Sequence, residues 1–297
     1  MTRAVWSFWG KPFRAHHRRA WLSDRHHLMS WVLSVHCGAR HYEHTTLVTD
    51  TEGARLLVDT LGLRFSHVDT GLDALQGSDP QWWVLGKLWA YRAQREPFVH
   101  LDSDVYLWKR LPGALEQAPV CGQNPETFPL TADSWYRPAA MHRALQNAQG
   151  WMPEEWQWSV AQKLSGAVCC GILGGSDTAF IAHYADQAIR MIEHPSNQAA
   201  WAELGNVIGD NILLEQYFLA ACLGYHRGRR GSRFRSVAAR YLFESTDQAF
   251  DEQQAERAGY THLIGGAKRD PDLMLRLDAR VTRECPEFHA RCHAAAG

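Results

Sequence analysis

A layered α/β domain built on a central, mostly parallel sheet is the fold that this sequence predicts. Three features predict it. Short β-favouring runs alternate with stretches of helical periodicity along 297 residues. Carboxylates close two of those runs, at Asp50 and at Asp102 and Asp104, and ligands in such folds gather beyond the carboxyl ends of strands. Hydrophobic residues make up 45% of the chain, enough apolar surface for one large core.

The elements follow in order. AVWSFW at 4–9 reads as the first strand, and TTLVTD at 45–50 as the second. The next helix carries Leu57, Val58 and Leu61 on one face, with Gly62 placed to stop it. Residues 63–68 form a further strand. Trp82, Leu85, Leu88 and Trp89 recur at helical spacing over 81–94, and FVHL at 98–101 runs into Asp102-Ser103-Asp104. GAVCCGIL at 166–173 is a buried strand ending on Gly174 and Gly175. Ser176 or Asp177 caps the helix after it, whose apolar stripe is Ile181, Tyr184, Ala188 and Ile192. Residues 128–163 differ in composition, with Trp135-Tyr136-Arg137-Pro138 and WMPEEWQW at 151–158. They predict a helical, tryptophan-rich insertion on a single domain spanning 1–297. That insertion is either a lid facing an acceptor or an ordinary helical elaboration of the core.

Composition narrows the partners. A net charge of -1 gives no bulk attraction to nucleic acid or to an anionic membrane. The local exception is HRGRRGSRFR at 226–235, a solvated loop or a mobile clamp for an anionic ligand. Seven cysteines, odd in number and without a CxxC pair, suit a reducing cytosol. The first 21 residues lack the apolar core of a signal peptide, and no run reaches the roughly 20 apolar residues of a membrane span. A cytoplasmic protein with no membrane span is the expectation. His16-His17 and His26-His27 have neither cysteine partners nor an H-E-x-x-H helix, so they read as exposed residues rather than zinc ligands.

Asp102 and Asp104 carry the chemistry. In extended backbone, residues two apart project to one side, so both carboxylates face one point and repel. A divalent cation turns that repulsion into attraction, and hard oxygen ligands suit Mg²⁺ or Mn²⁺. Asp-x-Asp also occurs in ordinary turns, but the apolar flanks FVHL and VYLW are more than a solvated turn requires. Near the C-terminus, HLIGGAK at 262–268 has the form H-x-x-G-x-x-K. If a diphosphate bridges the site, each position has a task. A neutral His262 supplies a nitrogen ligand that favours Mn²⁺. Gly265 lets the backbone approach phosphate, and Lys268 neutralises a departing oxyanion. The alternative is a turn with a buried histidine and a solvated lysine.

FVHLDSDVYL at 98–107 together with HLIGGAK at 262–268 resembles the glycogenin-type, retaining group of GT-A glycosyltransferases. Order and context match as well. WWVLGKLWAY at 82–91, with Lys87, precedes the carboxylate pair; CCGILGG at 169–175 follows where that group has N-A-G-V; and GDNIL at 209–213 falls where it has a D-Q-D segment. Three positions depart from the pattern: Arg269-Asp270 stands for Pro-Trp, Cys169 for the strand asparagine and Asn211 for the glutamine. The resemblance implies a GT-A-like nucleotide-sugar-binding fold that uses Mn²⁺ (or Mg²⁺). Asp104 would be a direct metal ligand, Asp102 a ligand through its second oxygen or a contact to the donor ribose and sugar, and His262 the third ligand. Lys87 would contact a phosphate or sugar hydroxyl of the donor, with simple snorkelling of its ammonium to water as the alternative.

The resemblance implies hexosyl transfer with retention, from a nucleotide diphosphate sugar, expected to be a UDP-sugar; the acceptor would be a peptide, protein, glycan or natural product. Asp210, Glu215 and Asn211 are candidates for the sugar side. Asp210 and Glu215 would not share one face of a regular helix closely, and Asp210 reads equally as a helix cap. Aromatic faces leaving the first strand at Trp6, Phe8 and Trp9 are candidates for the nucleobase, with core packing as the alternative. Two other readings remain. A metal-dependent phosphohydrolase of the D-x-D-x-T type lacks its threonine, because Tyr106 stands there. A catalytically inactive carbohydrate- or protein-binding module would use the 13 tryptophans but has no use for the full metal and diphosphate set.

Overall fold

The computed structural model describes residues 2–15, 20–131, 133–205 and 207–296, so His16-His17 lie outside the described residues. Seven strands form one mixed, mostly parallel sheet: β1 (Arg3–Phe8), β2 (Thr45–Thr49), β3 (His67–Asp69), β4 (Phe98–Leu101), β6 (Val120–Thr127), β7 (Gly166–Gly175) and β8 (Ala239–Tyr241). Their order is β3-β2-β1-β4-β7-β6-β8. The first four are parallel to one another, β7 runs antiparallel to both β4 and β6, and β8 is parallel to β6. A separate two-stranded ladder pairs β5 (Val105–Leu107) with β9 (Tyr260–His262) antiparallel.

Two apolar cores flank the sheet. One lies under the helices Val84–Ala93 and Thr178–Glu193, and the other under the helices Asp24–Ala39 and Pro271–Glu284. Each local expectation has a visible cause. Asp177 caps the Thr178–Glu193 helix by accepting a hydrogen bond from the Phe180 amide. Gly62 ends the helical stretch Thr51–Thr60 with φ of +79°, a left-handed conformation that favours glycine. The strand expected over 63–68 is only His67–Asp69, because Leu63 turns into the core instead of entering the ladder.

Several expectations need correction. Asp50 closes its strand but caps the next helix: its carboxylate accepts from the Gly53 and Gly10 amides at 2.7 and 2.9 Å. That use requires no ligand. His26 and His27 are buried, not exposed. His26 Nδ1 lies 2.7 Å from Ser23 Oγ, and His27 stacks on Trp21 at 5.4 Å. The tryptophan-rich insertion consists of a loop and the helices Pro138–Asn147 and Glu154–Ala161. Trp156 of the second helix is fully buried against Tyr217 and Phe218, so this part of the insertion is continuous with the core. The basic segment is likewise tied down, with Phe234 buried and Arg229 paired with Glu154. Among the described residues, no helix is long and apolar enough to cross a membrane.

Candidate functional site

Strand order reverses between β1 and β4, because β2 and β3 extend to one side of β1 and the chain then returns to pair β4 on the other. The crevice beyond the carboxyl ends at such a reversal is where open α/β sheets bind ligands. Asp102 follows β4 directly at that point.

Backbone contacts fix the loop. The Asp102 amide donates to the Gly171 carbonyl at 3.0 Å, and the Val105 amide turns back to the Asp102 carbonyl at 3.0 Å. Two buried serines of the Asp24–Ala39 helix hold it from below. Ser34 Oγ donates to the Asp102 carbonyl at 3.1 Å and Ser30 Oγ to the Ser103 carbonyl at 2.8 Å. The β5–β9 ladder then delivers the histidine. Val105 pairs with His262, and the Leu263 amide donates to the Asp104 carbonyl at 3.0 Å. Ligand-capable atoms of Asp102, Asp104 and His262 consequently lie within 4.8 Å of one another.

His262 is oriented from behind. Its Nδ1 lies 2.7 Å from Gln123 Oε1, which also accepts from the Tyr260 hydroxyl at 2.6 Å. As an acceptor-only oxygen, Gln123 Oε1 requires the proton on Nδ1, so a neutral ring turns its Nε2 lone pair towards the carboxylates. That Nε2 is 3.5 Å from Asp104 Oδ1. The close approach depends on Gly171, where a Cβ would fall 2.5 Å from His262 Nδ1 and 2.4 Å from Gln123 Oε1.

Two lysines neutralise most of the negative charge. Lys268 Nζ is 2.5 Å from Asp104 Oδ2. Lys87 Nζ lies 2.9 Å from Asp102 Oδ1 and 2.5 Å from Glu215 Oε1. Three carboxylates against two ammonium groups leave one negative charge uncompensated within this cluster. The shifts follow from burial and these neighbours. Burial pushes Asp102 up to about 6, with Lys87 opposing and Asp104 and Glu215 adding to the rise. Burial also works against ionised Asp104, but the facing charges, the Lys268 ammonium foremost, outweigh it and hold its carboxyl well below the ordinary range. For Lys87 the burial penalty is overcome by Asp102 and Glu215, and its ammonium is stabilised above the usual value. Beneath them His100 is held neutral by burial and by Lys87; its Nε2 meets Ser7 Oγ at 2.9 Å and its Nδ1 has no hydrogen-bond partner.

The structure therefore brings Asp102, Asp104, His262, Lys268, Lys87 and Glu215 together. Glu215 is fully buried, accepts from Tyr91 at 2.8 Å and reaches Asp102 through Lys87. It lies in a π-helical turn, Leu213–Tyr217, whose i→i+5 bonding widens the helix relative to the regular spacing assumed from sequence. Asp210 is buried within the helix Val207–Ile212. Asn211 is also buried, and its amide holds the start of the Val84–Ala93 helix: Oδ1 accepts from Val84 and Nδ2 donates to the Gln81 carbonyl. Gly265 takes φ of +55° at the first position of a 3₁₀ turn that carries Lys268.

The nucleobase assignment of Trp6 and Phe8 is corrected. Trp6 is fully buried with its indole nitrogen donating to Ser34, and Phe8 packs edge-on against Trp31, so neither offers a ring face. Sequence reasoning missed Gln123, Tyr260, Ser30, Ser34 and His100. Their local sequence holds no signal, because each acts on a partner distant in the chain.

A comparison with curated proteins finds no match. Residues 2–295 match the DUF6734 family, described as a family of unknown function, and the chain belongs to that family.

Proposed function

We propose that this protein is a metal-dependent glycosyltransferase with a GT-A-like fold that uses a nucleotide diphosphate sugar as donor. The observation that carries the reading is the convergence of Asp102, Asp104 and His262, from segments about 160 residues apart, beside Lys268. Two oxygen donors, one bare imidazole nitrogen and one uncompensated negative charge fit Mn²⁺. Asp102, Asp104 and His262 would hold the cation, which supplies Lewis-acid stabilisation to the departing diphosphate.

In the transfer, the bond from the anomeric carbon to the diphosphate oxygen breaks and its electron pair stays on the diphosphate. The acceptor's nucleophilic atom forms the new bond, and its proton leaves to the diphosphate or to solvent. Lys268 would turn from Asp104 to the diphosphate as the cation takes its place. The left-handed backbone at Gly265 allows that turn to lie close to phosphate. Lys87 fixes Asp102, and Glu215 holds Lys87 in place. Resemblance alone supplies the UDP moiety and retention.

Calorimetric titration with UDP-sugars tests this reading: binding should require Mn²⁺, and an intact protein that binds none of them with the metal would remove it. A metal-free carbohydrate-binding module is the second reading. The lysine pairs favour it, since they already neutralise most of the carboxylate charge, and glycan binding indifferent to Mn²⁺ would select it. A steric prediction separates the two as well. Gly171→Ala should push His262 off its position and weaken Mn²⁺ by about 10- to 100-fold, the cost usual for disturbing a ligand's support. A metal-free module would show no such dependence in glycan titrations.

A further inference from the structure

Away from these carboxylates, three side chains that the proposed reaction does not use meet where the insertion touches the basic segment. Glu155 sits in the first turn of the helix Glu154–Ala161, His183 on the helix Thr178–Glu193, and His226 near the end of the helix Phe218–Gly228. His183 Nε2 is 2.9 Å and His226 Nε2 is 3.3 Å from Glu155 Oε1, and the two nitrogens are 3.2 Å apart. All three side chains are at least four-fifths buried.

No assignment of neutral rings satisfies all three contacts. The nitrogen–nitrogen contact needs one proton and one lone pair, and the ring that offers the lone pair then also points it at a carboxylate oxygen. Ser232 bears on which ring that is. Its hydroxyl accepts from the Phe234 amide at 3.1 Å and lies 2.8 Å from His226 Nδ1. With the proton on Nδ1, His226 Nε2 is a bare lone pair. A cation at the centre resolves the conflict, because it accepts lone pairs from all three atoms.

We propose that Glu155, His183 and His226 form a zinc site. Two imidazole nitrogens and one carboxylate are the ligand set of a three-ligand zinc centre that keeps its fourth position open. Nitrogen donors bind Zn²⁺ more tightly than Mn²⁺. The site is thus chemically distinct from Asp102, Asp104 and His262, which offer two oxygens and one nitrogen. Glu155 and His226 line an open cavity of about 580 Å³, which leaves room for water or an anion at the fourth position. Arg190, Arg229 and Arg230 line the same cavity. Ser232 is the outer partner that fixes one ring, as such partners do at metal-bound histidines. A further His/Asp grouping among the described residues, Asp278 with His289 and His293, is less suited, because Arg25 already places its guanidinium 3.2 Å from Asp278 and 3.4 Å from His293.

Titration of the purified full chain with Zn²⁺ against a chromophoric chelator tests the proposal. One equivalent should bind at this site, and Co²⁺ in its place should give the visible absorption of a tetrahedral nitrogen–oxygen centre. Glu155→Gln, which keeps the hydrogen-bonding shape, and His183→Gln should each remove that equivalent. Ser232→Ala should weaken it about 10-fold. Asp104→Ala should leave it intact. Far-UV circular dichroism reports whether each variant is folded, and Ser232→Ala carries the test if a ligand variant is not. The proposal is overturned if the folded wild-type chain takes up no zinc. It is equally overturned if zinc affinity is unchanged in Glu155→Gln and Ser232→Ala.

Discussion

Asp104→Ala should abolish turnover, by about 1,000-fold or more, in a protein that still folds. The direction follows from where the carboxylate sits. Asp104 is the most deeply buried acid of the Asp102–Asp104–His262 cluster, held ionised chiefly by the Lys268 ammonium. Two unit charges about 4 Å apart interact by about 4 kcal/mol at an effective dielectric near 20. Losing about 4 kcal/mol of transition-state stabilisation corresponds to roughly 1,000-fold in rate. The fold should survive, at some loss of stability from the broken Lys268 pair, because the backbone of residue 104 still accepts from Leu263 and leads into the β5–β9 ladder. Single-turnover assays with a nucleotide sugar and Mn²⁺, beside thermal melts, measure both. Near-normal turnover in the variant would refute Asp104 as a ligand. An acid-side effect accompanies it. A carboxyl whose folded pKa is depressed contributes stability that is present above its unfolded value, near 4, and is lost as pH falls below it. The variant's melting curve should therefore be flatter than wild type below about pH 4.

Local pattern disclosed the layered sheet, the Asp177 cap and the carboxylates at the end of β4, because each depends on neighbours within a few residues. What the sequence hid depends on pairing across the chain. β5 and β9 are three residues each, and their register brings His262 to Asp104 although the two stand 158 positions apart. Alternation shows that Trp6 and Phe8 share a face of β1 but not that the face is covered by the Asp24–Ala39 helix. Asn211 presents the same amide whether it binds a sugar or caps a helix, and here it holds the backbone of Gln81 and Val84. Regular α-helical spacing keeps Asp210 and Glu215 off one face, but the π turn at Leu213–Tyr217 breaks that spacing. Glu155, His183 and His226 stand 28 and 43 positions apart, a spacing that matches no short motif.

Asp102→Asn should have opposite effects with and without metal. In the metal-free protein, burial raises the Asp102 pKa to about 6, above the roughly 3.9 of an unfolded chain. The native state then binds the proton more tightly than the unfolded state does. Stability therefore falls as pH rises from about 4 to about 6, and the cost is fully present above that. Lys87 stays charged across this window and keeps Glu215 as its partner at 2.5 Å, so the variant does not orphan it. Without metal at pH 7, Asp102→Asn should therefore melt a few degrees higher than wild type, on the scale of about 2–4 °C per kcal/mol for a chain of this size class. Saturating Mn²⁺ should reverse the order. A ligand that binds only the native state stabilises it in proportion to the logarithm of its concentration over Kd, and the variant lacks one of the ionised oxygens that hold the cation. Melting curves with and without Mn²⁺ from pH 4 to pH 8 measure both effects. If the variant is destabilised without metal and responds to Mn²⁺ as wild type does, the buried charge at residue 102 is held by its lysine alone, and the cation has no place between the carboxylates.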